Sequence, residues 1–190
     1  MANDSPPRAA PLSTGGAADP FLSHIRPLLH EATEVAIVTA FASRSGLDVL
    51  EQPLQVALRR GATIRILTSD YLDITQPEAL YQLVSLSEQT QAGVFRDDKE
   101  GPRARPKAKL EVRVIETGAL GRGFHPKSWR FVTRTKAAAF VGSSNLSEAA
   151  LTSTIEWNLR IERHRDAQGY AAVVAAFEDA WAQGTPLTTA

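Results

Sequence analysis

Short apolar runs of strand length alternate with segments of helical period through the first half of this chain, and that alternation restricts the available folds more than any other feature. Residues 34–41 form a buried β run with Val35, Ile37, Val38 and Ala40, and residues 62–68 a second, with Ile64, Ile66 and Leu67 inside. Between them residues 45–60 are helical in period despite Pro53, and Gly61 stands where a helix-ending glycine belongs. Asp19 and Pro20 offer an N-cap and a first-turn proline to an earlier helix carrying Phe21, Ile25, Leu28 and Leu29 on one face, with Pro27 as a kink. Leu80, Leu83, Val84 and Leu86 mark a helix from Pro77 to about Gln89. Beyond a polar stretch at 93–109, the second half is richer in strands. Residues 110–116 alternate, and Gly118, Gly121 and Gly123 form a turn. Residues 124–134 and 137–141 pair as a hairpin around Arg134-Thr135-Lys136, and a loop occupies 142–145. Residues 155–162 make the last strand and 167–182 the last helix, which buries Tyr170, Val173, Val174, Phe177 and Trp181. Early alternation followed by clustered strands predicts an α/β fold, a mixed β-sheet flanked by helices on both faces. No internal repeat is present.

At 190 residues the chain has the length of one domain. Prolines and small residues without periodicity make 1–18 a flexible leader, 19–184 the domain and 185–190 a flexible tail. The absence of cysteine excludes a disulfide scaffold and a thiolate zinc site. The N-terminus lacks the apolar core of a secretory signal, and the run 35–41, interrupted by Thr39, falls far short of the roughly 20 residues of a membrane span. A soluble, cytoplasmic protein is expected. Its formal charge is zero, with 21 basic and 21 acidic residues. The distribution is uneven, since residues 99–136 hold eleven basic and three acidic side chains, an excess of eight positive charges. Such a segment suits a polyanion's backbone, although a solvated loop explains it equally.

Three short motifs carry the chemistry: Phe124-His125-Pro126-Lys127, Gly142-Ser143-Ser144-Asn145-Leu146 and Glu156-Trp157-Asn158. Two apart in a strand, His125 and Lys127 share a face and set an imidazole beside an ammonium, a site for an anion. Backbone N–H groups of 142–145 and the Asn145 amide can converge on a phosphate oxygen. Glu156 can accept from an imidazole N–H and fix its tautomer. Other roles compete for these residues. Asn145 can cap the helix that begins near Ser147, and Glu156 can pair with Arg160 or Lys136. Trp129 belongs to either core or site, Trp157 to the core, and His24, His30 and His164 read as structural or solvated.

In this order and spacing, His-x-Lys, Gly-Ser-x-Asn and Glu resemble the phospholipase D superfamily. The forms quoted above look most like the phospholipase D-like nuclease domains of restriction enzymes and helicase-associated proteins. The family's longer signature places an Asp five positions after the Lys, where this chain has Val132; nuclease members often lack that Asp. The resemblance implies an α-β-α sandwich and a metal-independent DNA endonuclease working through a phosphohistidine on His125. Lys127 and Asn145 would hold the phosphoryl oxygens, Glu156 would orient the imidazole, and Ser143, Ser144, Trp129 and Arg130 would help bind substrate. No cofactor and no metal is expected, the cations replacing Mg²⁺. One imidazole cannot both attack phosphorus and protonate the leaving oxygen in one step. With a single His-x-Lys in the chain, the implied assembly is a twofold homodimer sharing one active centre. DNA and a helicase or restriction complex are the expected partners, and no membrane is expected. Two rivals stay open: a non-catalytic nucleic-acid-binding accessory domain, and a phospholipid-headgroup hydrolase.

Overall fold

The computed structural model describes residues 11–95 and 108–188. In chain order these form β1 (Leu12–Ser13), α1 (Phe21–Glu31), β2 (Ala32–Val38), α2 (Arg44–Arg59), β3 (Thr63–Ser69), a 3-10 turn (Tyr71–Asp73) and α3 (Pro77–Gln91). There follow β4 (Lys109–Ile115), α4 (Thr117–Leu120), β5 (Ser128–Thr133), β6 (Ala137–Gly142), α5 (Glu148–Thr152), β7 (Asn158–Glu162), α6 (Ala167–Gln183) and β8 (Thr185–Pro186). All the strands join one eight-stranded mixed sheet in the order β1-β7-β6-β5-β2-β3-β4-β8. β2, β3 and β4 are parallel, and the other pairings are antiparallel.

Helices cover both faces, as the alternation of elements predicts. On one face Phe21, Ile25 and Leu29 of α1, Leu47, Leu50 and Leu54 of α2 and Leu83 of α3 bury against Val35, Ile37, Ile64, Ile66, Trp129 and Phe140. Phe21 stands edge-on to Trp129 at 5.6 Å and to Phe140 at 5.3 Å, contacts worth about 0.5–1.5 kcal/mol each beyond area burial. On the other face α6 lies over Ala36, Val38, Leu67, Ala137 and Ala139. Both faces of β2 are therefore apolar, which is why its sequence is a continuous run instead of an alternation.

α6 is clamped by charge as well as apolar packing. Arg65 of β3 donates to both Glu178 carboxylate oxygens at 2.7 and 2.6 Å, and its guanidinium lies over Phe177 at 4.8 Å and Trp181 at 5.4 Å. The Glu178 carboxyl is held below the usual range chiefly by the hydrogen bonds from Arg65. Arg113 completes the clamp, donating to the Trp181 carbonyl at 2.8 Å.

Several expectations need correction. Within the expected leader, Leu12 and Ser13 pair with Leu159 and Asn158, while residues 1–10 lie outside the described residues. Within the expected tail, Thr185 and Pro186 pair with Val114 and Arg113, and the Leu187 N–H donates to the Val112 carbonyl at 2.9 Å. Each two-residue strand satisfies a sheet edge that would otherwise expose unpaired groups, and two residues have no period to read. Asp19 does not cap α1, which begins after Pro20 without a side-chain cap. Its carboxylate accepts instead from the Thr14 N–H at 2.8 Å and pairs with His24 at 2.5 Å. The ladders of β5 and β7 start at Ser128 and Asn158, later than expected, so His125, Lys127 and Glu156 precede their strands.

Candidate active site

Pro126 disfavours the helical region for the residue before it, so the chain approaches β5 extended and leaves His125 exposed at its mouth. Lys127 is buried, 6% exposed, and its Nζ lies 2.7 Å from His125 Nδ1 and 2.9 Å from Nε2 while donating to the His125 carbonyl at 3.0 Å. Burial pushes the Lys127 ammonium below the ordinary lysine range, and the Glu156 carboxylate partly offsets this.

Beside them the loop from Gly142 to Leu146 is fixed at every residue. The Gly142 N–H donates to the Lys127 carbonyl at 3.3 Å, and a Cβ at Gly142 would stand 2.0 Å from the Trp157 carbonyl oxygen, a position only glycine fills. The Ser143 N–H donates to the Trp157 carbonyl at 3.1 Å, and its hydroxyl accepts the Trp157 N–H. Ser144 is wholly buried: its hydroxyl accepts from Asn158 Nδ2 at 2.8 Å, its N–H reaches Asn158 Oδ1 at 3.4 Å, and its carbonyl accepts the Trp129 indole N–H at 3.1 Å. Asn145 Oδ1 accepts from Thr39 Oγ1 at 3.1 Å and from the Phe41 N–H at 3.3 Å. Thr39 Oγ1 also accepts the Leu146 N–H at 3.0 Å.

This geometry changes several of the roles that the motifs imply. The N–H groups of Gly142, Ser143 and Ser144 bond within the fold, so the backbone cradle reduces to the Asn145 amide. Ser147, not Asn145, caps α5. The Ser144 hydroxyl is buried against Asn158, and Trp129 belongs to the core beneath the loop. Arg130 is buried on the α6 face and its Nη1 lies 3.5 Å from Glu34, away from His125. Both follow from strand register: starting at Ser128, β5 sends Trp129 toward α1 and Arg130 toward α6. Glu156 makes no hydrogen bond to His125; its influence falls on Lys127. Trp157, expected in the core, is 64% exposed. Among the described residues, three cations of the positive segment are engaged within the fold. Lys109 pairs with Glu111, Arg113 with the Trp181 carbonyl and Arg130 with Glu34, while Lys99, Arg103, Arg105 and Lys107 lie outside the described residues.

Two residues of the site lie outside the motifs, Thr39 and Tyr71, while Asn158, inside the third motif, takes a part that the motif reading did not assign, holding Ser144. The polar Thr39 inside an apolar run is the one signal of them that the sequence carries. His125 and Lys127 open on a cleft of about 430 Å³ whose opposite wall is the Ala172, Val173, Ala176 and Phe177 side of α6. Among the described residues no group of three His, Asp or Glu could hold a metal ion, and no helix is long and apolar enough to cross a membrane.

A family model described as cardiolipin synthase, PLD-like domain, matches residues 25–181. Among solved structures, Nuc from Salmonella typhimurium, a phospholipase D family member, is 15% identical with a TM-score of 0.58 over 88% of this chain and 90% of that one. NucT from Helicobacter pylori is 15% identical, TM-score 0.53, over 87% and 89%. Phosphatidylserine synthase from Haemophilus influenzae is 19% identical, TM-score 0.60, over 93% of this chain and 39% of its own. No curated protein matches.

Proposed function

The chain belongs to the phospholipase D superfamily through the PLD-like domain at residues 25–181, and from that premise we propose that it is a metal-independent phosphodiesterase that cleaves DNA through a phosphohistidine. The observation that carries the reading is the exposed His125 imidazole with the buried Lys127 ammonium against its ring nitrogens, at the mouth of a cleft and beside Gly142, where the loop that carries Asn145 begins. A ring nitrogen of His125 attacks phosphorus, an N–P bond forms, and the P–O bond to the leaving group breaks. The leaving oxygen takes its proton from an acid on the opposite side. Water then attacks the phosphohistidine, gives a proton back to that acid's conjugate base, and the N–P bond breaks, releasing the phosphate ester and returning the imidazole. Lys127 and the Asn145 amide hold the non-bridging oxygens, where negative charge develops.

The acid on the far side is the His125 of a second copy, so the working unit is a homodimer around one centre. An uncovered apolar strip supports this partner. Val141 pairs with Leu159, Leu159 pairs with Leu12, and with Trp157 these residues are 36–64% exposed beside the cleft. The apolar α6 wall favours a second reading, a phospholipid diester whose acyl chains lie along Ala172, Val173 and Ala176. Association with a helicase or restriction complex remains a proposal about partners.

The test is cleavage of supercoiled plasmid and of phosphatidylglycerol vesicles in excess chelator, with wild type and His125→Ala. Plasmid nicking that persists in chelator and vanishes in a folded His125→Ala protein is the expected result. Nicking by His125→Ala, or nicking that requires added divalent ion, overturns the mechanism; activity on vesicles alone favours the lipid reading.

A further inference from the structure

The ring of Tyr71 stands edge-on to the His125 imidazole, with centroids 5.9 Å apart and planes 68° apart. Tyr71 opens a 3-10 turn in which Leu72 and Asp73 both take left-handed backbone, φ 57° and 54°. Neither is glycine, and Leu72 is 68% exposed, so no burial of its own side chain offsets the strain. Such outliers persist where the surroundings over-determine them. Here the turn is pinned on both sides. Ser69 Oγ donates to the Ala40 carbonyl at 2.6 Å, Thr75 Oγ1 donates to the Ser69 carbonyl at 2.6 Å, and the Asp70 carboxylate accepts from the Thr117 N–H at 2.8 Å and hydroxyl at 2.6 Å. Tyr71 in turn lies so close to the segment leading to His125 that a Cβ on Gly123 would come within 2.8 Å of its ring.

At the imidazole itself the polar side chain in contact is Lys127, and Glu156 does not orient the ring. We propose that Tyr71 is the positioning residue for His125: its ring edge fixes the plane of the imidazole, and the strained, pinned turn exists to hold that edge in place. The hydroxyl takes no part, so a phenylalanine serves equally. For its kinetic arm the inference rests on the phosphodiesterase reading, and its spectroscopic arm does not.

The experiment uses the 190-residue chain labelled with 13C,15N-histidine, whose four histidines give few signals, His125 being assigned by its loss in His125→Asn. In Tyr71→Phe the His125 Cε1–H resonance and the rate of phosphoenzyme formation from bis(p-nitrophenyl) phosphate stay at wild-type values. In Tyr71→Leu the resonance moves and the rate falls about 10- to 100-fold at unchanged KM, the scale of a misplaced reacting group. Gly123→Ala, which displaces the Tyr71 ring without altering it, moves the same resonance and keeps the test open if Tyr71→Leu does not fold. An unmoved resonance in Tyr71→Leu or Gly123→Ala, or a Tyr71→Phe protein as impaired as Tyr71→Leu, overturns the proposal. A wild type inactive on the diester removes the phosphodiesterase reading, while the resonance still decides Tyr71.

Discussion

Thr39→Val isolates the contact on which the placement of Asn145 depends. Thr39 is fully buried at the end of β2, and its Oγ1 accepts the Leu146 N–H at 3.0 Å while lying 2.8 Å from the Phe41 carbonyl and 3.1 Å from Asn145 Oδ1. Valine keeps the shape and removes the hydroxyl. The Leu146 N–H, in a residue with no exposure, then loses its acceptor, at a cost of about 1–3 kcal/mol for an unsatisfied buried donor. The lost hydroxyl donor adds about 0.5–1.5 kcal/mol. We expect a destabilisation of about 2–4 kcal/mol, which a domain stable by about 5–15 kcal/mol survives folded. With a urea slope of about 2–3 kcal/mol per molar, the unfolding midpoint followed by circular dichroism falls by about 1 M. Turnover falls as well, because Asn145 loses one of the two donors that hold its amide oxygen. Thr39→Ser, which keeps the hydroxyl, stays much closer to wild type. A Thr39→Val protein with an unshifted midpoint and full activity would refute this account of the loop.

Two further outcomes follow from the charges and the surface. The Lys127 ammonium, lowered by burial, must be charged to hold phosphate, so the alkaline limb of kcat/KM lies below the ordinary lysine value of about 10.4. Glu156→Gln removes the carboxylate that raises it and moves that limb to still lower pH, whereas an unmoved limb rejects the coupling. The same group sets a sign for stability: the unfolded chain holds this proton to higher pH than the folded one. Its contribution to stability therefore rises with pH between the two pKa values. Leu159→Asp places a charge on the exposed apolar strip, and we expect sedimentation to show a monomer that has lost plasmid cleavage but keeps its circular dichroism. A dimeric Leu159→Asp protein rejects the strip as the interface.

The sequence by itself determined the order of the longer helices and strands, the two-sided cover of the sheet and the three motifs of the site. These are local signals: an apolar run, a helical period and a proline before a lysine are all read within a few residues. Only the tertiary structure decided which groups touch. Thr39 and Asn145 are 106 positions apart and meet because β2 and β6 flank β5, with Val38 and Val141 both paired to Ser128, an order that no local period encodes. Tyr71 reaches His125 from the far end of β3 for the same reason. The alternation says which side chains share a face, and the tertiary structure decides what covers that face. α1 covers Trp129, Arg130 on the opposite face meets Glu34, and the face that Trp157 shares with Leu159 is left exposed. In a strand the side-chain period is two, so the alternation is legible in the residues themselves, while the hydrogen-bonded ladder decides where that alternation begins and which neighbours each face meets.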